Sequence, residues 1–185
     1  RYHGWQFQPV EPTVQGELEV ALARLSGARR TVVGAGRTDR GVHATGQVAS
    51  VDLPGRWNAP TLRRALNAVL PRDIWVERVD VADPSFHPRF DAVARSYAYR
   101  VGVSEGSASP FFRPWCWALR RPVDRDLLAA AAAELAGDHS FRAFAKAGQE
   151  ERGDRCLVHS ATWEPWDDLG MVFRVTANRY LHHMV

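Results

Sequence analysis

Lysine is almost missing from this chain. Lys146 is the single lysine among 24 lysine and arginine residues in 185, and every other cation is arginine. Arginine's planar fork suits bidentate contacts to phosphate and stacking on bases. A coding bias that replaces lysine throughout would give the same composition, and the abundant alanine fits that too, so the cations alone do not choose. Cysteine is equally scarce. Cys116 and Cys156 are too few for a disulfide framework and lack metal-ligand spacing, which makes a reducing, cytoplasmic setting the expectation. No apolar run reaches membrane-spanning length, so no membrane association is expected. The opening residues do not resemble a signal peptide. The net charge of +3 is too small to announce a nucleic-acid binder by itself. Charged content of 24% and hydrophobic content of 45% are ordinary for a globular chain with one large or two small lobes.

Against that plain background one stretch is dense in chemistry. Thr31-Val32-Val33 runs into Gly34-Ala35-Gly36-Arg37-Thr38-Asp39-Arg40-Gly41-Val42-His43-Ala44, and Gln47 to Leu53 then alternates. A β-branched run ending in Gly-x-Gly reads as a strand entering a tight loop, with a second strand after it. Asp39 thus sits on a loop that a scaffold can hold while leaving it reachable. One reading is a hairpin in which Arg37 and Asp39 form an exposed ion pair of small energetic weight. A phosphate-binding loop fails on detail, because the third glycine of the dinucleotide fingerprint is absent and no Gly-Lys-Ser/Thr follows. The remaining reading is a catalytic carboxylate beside an arginine that keeps it ionised.

The chain resembles the tRNA pseudouridine synthase A family. The motif Gly36-Arg37-Thr38-Asp39-x-Gly41-Val42-His43-Ala44 is similar to that family's signature loop, whose aspartate is the nucleophile. Further matches follow in order: Gly4-Trp5-Gln6, Thr13-Val14-Gln15-Gly16-Glu17-Leu18-Glu19, Ala65-Leu66-Asn67 before Leu70-Pro71, Phe86-His87-Pro88-Arg89-Phe90, Ala94-Arg95-Ser96-Tyr97-Ala98-Tyr99-Arg100 and His182-His183-Met184-Val185. Arg40 departs from the pattern, standing where the family usually has alanine.

The resemblance implies an α+β pseudouridine synthase fold, a mostly antiparallel sheet flanked by helices, in two similar halves around a central cleft. It implies Asp39 and Arg37 as catalytic residues, and Tyr97, Thr38, His43 and Arg89 as substrate-binding ones. Tyr97 would lie against the target base, and Arg37 would either hold Asp39 ionised or insert toward the RNA. The substrate would be uridine in the anticodon arm of tRNA, the assembly a homodimer, and no cofactor or metal would be needed. Attack of Asp39 on ribose C1′ or on uracil C6 both remain open. The family also has a strand before residue 1 and an arginine after Val185, so the expectation is a chain shortened at both ends. An idle RNA-binding module of the same fold is the alternative, and an unrelated carboxylate hydrolase a more distant one.

Elsewhere the pattern predicts helices over 13–25, 58–70 and from Asp124 to Gly137, the last with Leu127, Leu128, Ala131 and Leu135 inside. Glu17, Glu19 and Arg24 fall off the first helix's stripe, giving a scaffold helix without chemistry. Strands are expected over 74–81 and 96–103, at Thr162-Trp163-Glu164 and over 171–177, with a hairpin at 167–170. In the 96–103 strand Tyr97, Tyr99, Val101 and Val103 share one face. The segment 83–91 is bracketed by prolines and reads as a loop whose Phe, His and Arg could face RNA. A linker at 104–110 divides the chain into expected halves 1–103 and 104–185, and 146–155 reads as a mobile loop. Asn178 reads as the cap of a closing helix. Adjacent histidines on such a helix would point apart, so His182 and His183 are not expected to hold a metal.

Overall fold

The computed structural model describes residues 1–146 and 153–185. Residues 147–152 of the loop expected over 146–155 lie outside the described residues. The chain forms two compact units, Arg1–Ala92 and Val93–Val185. This boundary lies upstream of the 104–110 linker and puts Tyr97 in the second unit.

In the first unit, helix α1 (Val14–Ser26) starts at Thr13, whose extended backbone and hydroxyl cap the Gly16 N–H, and ends at Gly27 in the left-handed region. Helix α2 (Ala59–Val69) has Asn58 as its cap, accepting from the Thr61 N–H, with Pro60 in the first turn. Ala21 and Leu22 of α1 meet Leu62 and Leu66 of α2 in a core completed by Trp5, Val32 and Leu70. Each such leucine contributes about 1.5–3 kcal/mol on burial. The strands flanking the Asp39 loop are shorter than the alternation suggests. Strand β1 (Val33–Gly34) pairs antiparallel with β2 (Ala49–Ser50), Val33 facing Ser50 and Gly34 facing Ala49.

Two expectations for this unit need correcting. Glu19 is not a solvated off-stripe charge: it is buried, and its carboxylate accepts from the Val32 N–H at 3.2 Å and the Gln15 amide at 3.0 Å. It therefore fixes the approach to β1. Nor does 74–81 form a strand. The Asn67 side chain takes the Val76 N–H and C=O, both at 2.8 Å, so a side chain of α2 satisfies the groups a neighbouring strand would have used. Asn67→Leu should leave both part-buried backbone groups of Val76 without their partner, and denaturant melts should show a loss of about 1–3 kcal/mol; an unchanged midpoint would mean water replaces the amide fully.

The second unit is a five-stranded sheet of order β4-β3-β7-β6-β5. Its strands are β3 (Arg95–Gly102), β4 (Trp117–Ala118), β5 (Gly137–Ser140), β6 (Arg155–Trp166) and β7 (Gly170–Ala177). All neighbours are antiparallel except β3 and β4. A turn with Asp167 at φ 46° joins β6 to β7, as the hairpin reading expects. Tyr97 faces Val175 across β3 and β7, and Gly102 faces Gly170, where a Cβ on Gly170 would overlap the Val101 carbonyl oxygen. Phe141, Cys156, Val158, Val175, Ala177 and Leu181 form the core.

Helix α3 (Arg125–Ala133) is capped by Asp124 as expected, but its inner face is rotated. Ala132 is buried, while Leu127 is 67% exposed and Ala131 is also exposed. Gly137 does not close this helix: at φ 106° it opens β5. Residues 178–185 are not helical. Asn178 instead pairs with Leu157, its N–H donating to the Leu157 carbonyl and its side chain accepting the Leu157 N–H, both at 3.0 Å. His182 and His183 do not point apart, for their rings lie 4.1 Å from one another. The helical geometry behind that expectation is absent, His183 having φ 67°.

Candidate active site

The Asp39 loop is held at its base by backbone and amide groups. Past the two-residue ladder, the Ala35 N–H donates to the Val48 carbonyl at 2.8 Å. The Gln47 amide then binds both sides of the Gly36 peptide edge, accepting from N–H at 3.3 Å and donating to C=O at 2.8 Å. A second fixed point follows at Thr38, whose carbonyl accepts the Trp5 N–H at 3.0 Å.

Trp5 is itself anchored through α1. The amides of Val14 and Gln15, which a helix start leaves unsatisfied, donate to the Gly4 and Trp5 carbonyls at 3.2 and 3.0 Å. The buried Trp5 indole lies over Gly34, where any Cβ would come within 2.6 Å of the ring. Gly4 lies under the loop with φ 90°, and a Cβ there would overlap the Thr38 carbonyl oxygen. Tyr2 adds a tether, donating to Asp73 at 2.7 Å. Burial and that carboxylate raise the Tyr2 hydroxyl, while the same bond lowers Asp73.

From this base the tip turns outward. The Val42 N–H donates to the Asp39 carbonyl at 3.1 Å, with Gly41 at φ 82°, the conformation a tight turn demands of glycine. Arg37, Asp39, Arg40 and His43 are exposed and Thr38 is half-buried. Among the described residues neither the Arg37 guanidinium nor the Asp39 carboxylate has a side-chain partner, so of the alternatives for Arg37 the ion pair with Asp39 is not formed. The structure thus gathers Arg37, Thr38, Asp39 and His43 on one loop.

Arg89 stands on another loop of the same unit. That segment is irregular, as its prolines require, and is built on itself: Asp83 accepts from the Ser85 N–H and hydroxyl, Asp91 from the His87 N–H, and His87 Nδ1 from the amides of Arg89 and Phe90. His87 and Phe90 stack at 4.2 Å, and the Arg89 guanidinium lies 6.0 Å from the exposed Phe90 ring. Arginine and aromatic surface are therefore presented together.

Tyr97 belongs to β3 in the second unit. Its half-buried ring packs edge-on against Tyr180, centroids 4.8 Å apart at 85°. The Tyr180 hydroxyl donates to the Val175 and Arg95 carbonyls at 2.9 and 3.2 Å, and burial, with the Tyr97 phenol beside it, raises its pKa above the usual phenol range. Tyr180 therefore keeps its proton and orients its neighbour. Reading the sequence alone missed Tyr180, Gln47 and the work of Trp5; only the aromatic two residues after Asn178 and the polar residue two before β2 hint at them.

A family model described as tRNA pseudouridine synthase matches residues 2–91 and 131–185. A tRNA pseudouridine synthase A of Moorella thermoacetica is 43% identical over 187 residues, covering 100% of this chain and 75% of its own length. Proteins of the same name from Latilactobacillus sakei and Thermosipho africanus are 38% and 41% identical, again across 100% of this chain and 74% and 75% of theirs. With its antiparallel-dominated α+β architecture, the chain has the pseudouridine synthase fold, that of a class of isomerases. It belongs to the tRNA pseudouridine synthase family.

Proposed function

We propose that the protein converts uridine to pseudouridine in the anticodon arm of tRNA, with Asp39 as the nucleophile. The observation that supports this most is the exposed Asp39 carboxylate, without a side-chain partner among the described residues, on a loop pinned at Gly36 and Thr38. The reaction cuts the bond from uracil N1 to ribose C1′, turns the base and rejoins it through C5, whose hydrogen leaves as a proton while N1 takes one up. No electrons or external group are exchanged, so the chemistry calls for no cofactor. A carboxylate lowers the barrier by splitting the exchange into formation and breakdown of a covalent intermediate. Attack on C1′ would displace uracil from the sugar; addition to C6 would hold the base while it turns.

Arg37 is free to reach the RNA because it is not engaged with Asp39. Everting a nucleotide costs a few kcal/mol of unstacking, which contacts in the pocket must offset. Tyr97, packed edge-on against Tyr180, is the proposed stacking partner of the uracil, a contact worth roughly 1–3 kcal/mol. Thr38 and His43 on the same loop and Arg89 beside Phe90 bind the surrounding RNA, with arginines meeting phosphates and Arg40 adding one more contact. The working form is a homodimer in the cytoplasm. Among the described residues no helix is long and apolar enough to cross a membrane.

Incubation with an unmodified tRNA transcript should yield pseudouridine only in the anticodon arm, mapped by chemical sequencing. A transcript with cytidine at those uridines should yield none. Product elsewhere would overturn the substrate assignment, and tight binding without any product would favour the idle RNA-binding module.

A further inference from the structure

We infer that Gln47 is a positioning residue for Asp39, acting through Gly36; the inference rests on the nucleophile reading above. The β1–β2 ladder is short, and the next rung is built by a side chain rather than by a strand. A carboxamide carries a donor and an acceptor on one planar group, matching the N–H and C=O edge of a peptide. Gln47 uses both on Gly36, at 3.3 and 2.8 Å. Glutamate keeps the acceptor but sets an anionic oxygen against the Gly36 carbonyl, and leucine fills similar space with neither group.

The location gives the rung its effect. Gly36 directly precedes Arg37, and the next backbone tether is the Thr38 carbonyl on Trp5. Asp39 follows at once and has no side-chain partner of its own among the described residues. Its carboxylate is therefore aimed by the backbone alone, from two fixed points of which Gln47 supplies one. Releasing that point lets the loop rotate about Thr38, and a misplacement of about 1 Å costs on the order of 100-fold in rate.

Gln47→Leu and Gln47→Glu should be compared with Asp39→Asn, measuring kcat and Kd for tRNA, thermal melting and the hydrogen exchange of the Gly36 amide. Both Gln47 variants should lose about 10- to 100-fold in kcat, and in the leucine variant, which adds no charge, tRNA affinity should fall far less than kcat. Gly36 exchange should quicken in the leucine variant, where its amide loses its acceptor. If Asp39→Asn is silent while both Gln47 variants turn over at the parental rate, the positioning role is overturned and the nucleophile stands. If Asp39→Asn stays active, the nucleophile reading fails first. A fall in kcat that tracks a fall in melting temperature in both Gln47 variants, or unchanged Gly36 exchange in the leucine variant, would also overturn the inference.

Discussion

Asp39→Asn should abolish turnover while the protein folds and binds tRNA normally. The amide is nearly the same size as the carboxylate but cannot attack carbon, and removing a nucleophile costs on the order of 10⁴-fold or more in kcat. Stability should hold within about 0.5 kcal/mol, because the side chain is exposed and makes no bond among the described residues. Affinity for tRNA should be equal or slightly higher at low salt, since a negative charge near the phosphates is removed. Single-turnover assays beside filter-binding titrations separate the quantities. Residual turnover within about tenfold of the parent would remove Asp39 from the chemistry.

Gly4→Ala should damage both stability and turnover. Gly4 has φ 90°, which costs an L-residue roughly 1–2 kcal/mol. Its new Cβ would also overlap the Thr38 carbonyl oxygen, which is backbone and moves only with the loop. Overpacking adds about 1–3 kcal/mol, so a loss of about 2–5 kcal/mol is expected in denaturant unfolding. The displacement of Thr38 should break its bond to Trp5 and take Asp39 out of line. Gly27→Ala is the matched control. Gly27 has a similar φ of 77° but nothing lies within 4 Å of its Cβ position, so it should lose only the backbone share and keep full turnover. Equal behaviour of the two variants would show that the clash is relieved locally.

Much of the frame was legible. The helices expected from residues 13, 58 and 124 begin there, because Thr13, Asn58 and Asp124 each supply a capping oxygen within three residues of the amide it serves. The alternation across 171–177 yields β7, which has partners on both sides. What failed was structure decided by distant groups. Residues 74–81 read as a strand, yet Val76 pairs with the Asn67 side chain, and Asn178 binds Leu157 rather than capping a helix. No local pattern encodes such partners.

The site divides along the same line. The motif containing Arg37, Thr38, Asp39 and His43 is contiguous and could be picked out as a chemical unit. Its supports are scattered: Gly4 and Trp5 from the start of the chain, Gln15 and Glu19 from α1, and Gln47 from the far side of the loop. Helical periodicity places Glu19 off the apolar stripe and gives no sign that it is buried. Its burial follows from hydrogen bonds to Val32 and Gln15, which hydrophobic patterning does not register.

The Gly36 and Thr38 anchors grip peptide groups and leave the side chains of Arg37, Asp39 and Arg40 to water. Folding and chemistry are thereby written in different atoms of one loop. Substitutions at those three positions should therefore alter or abolish reactivity or RNA binding while leaving the scaffold that presents them in place.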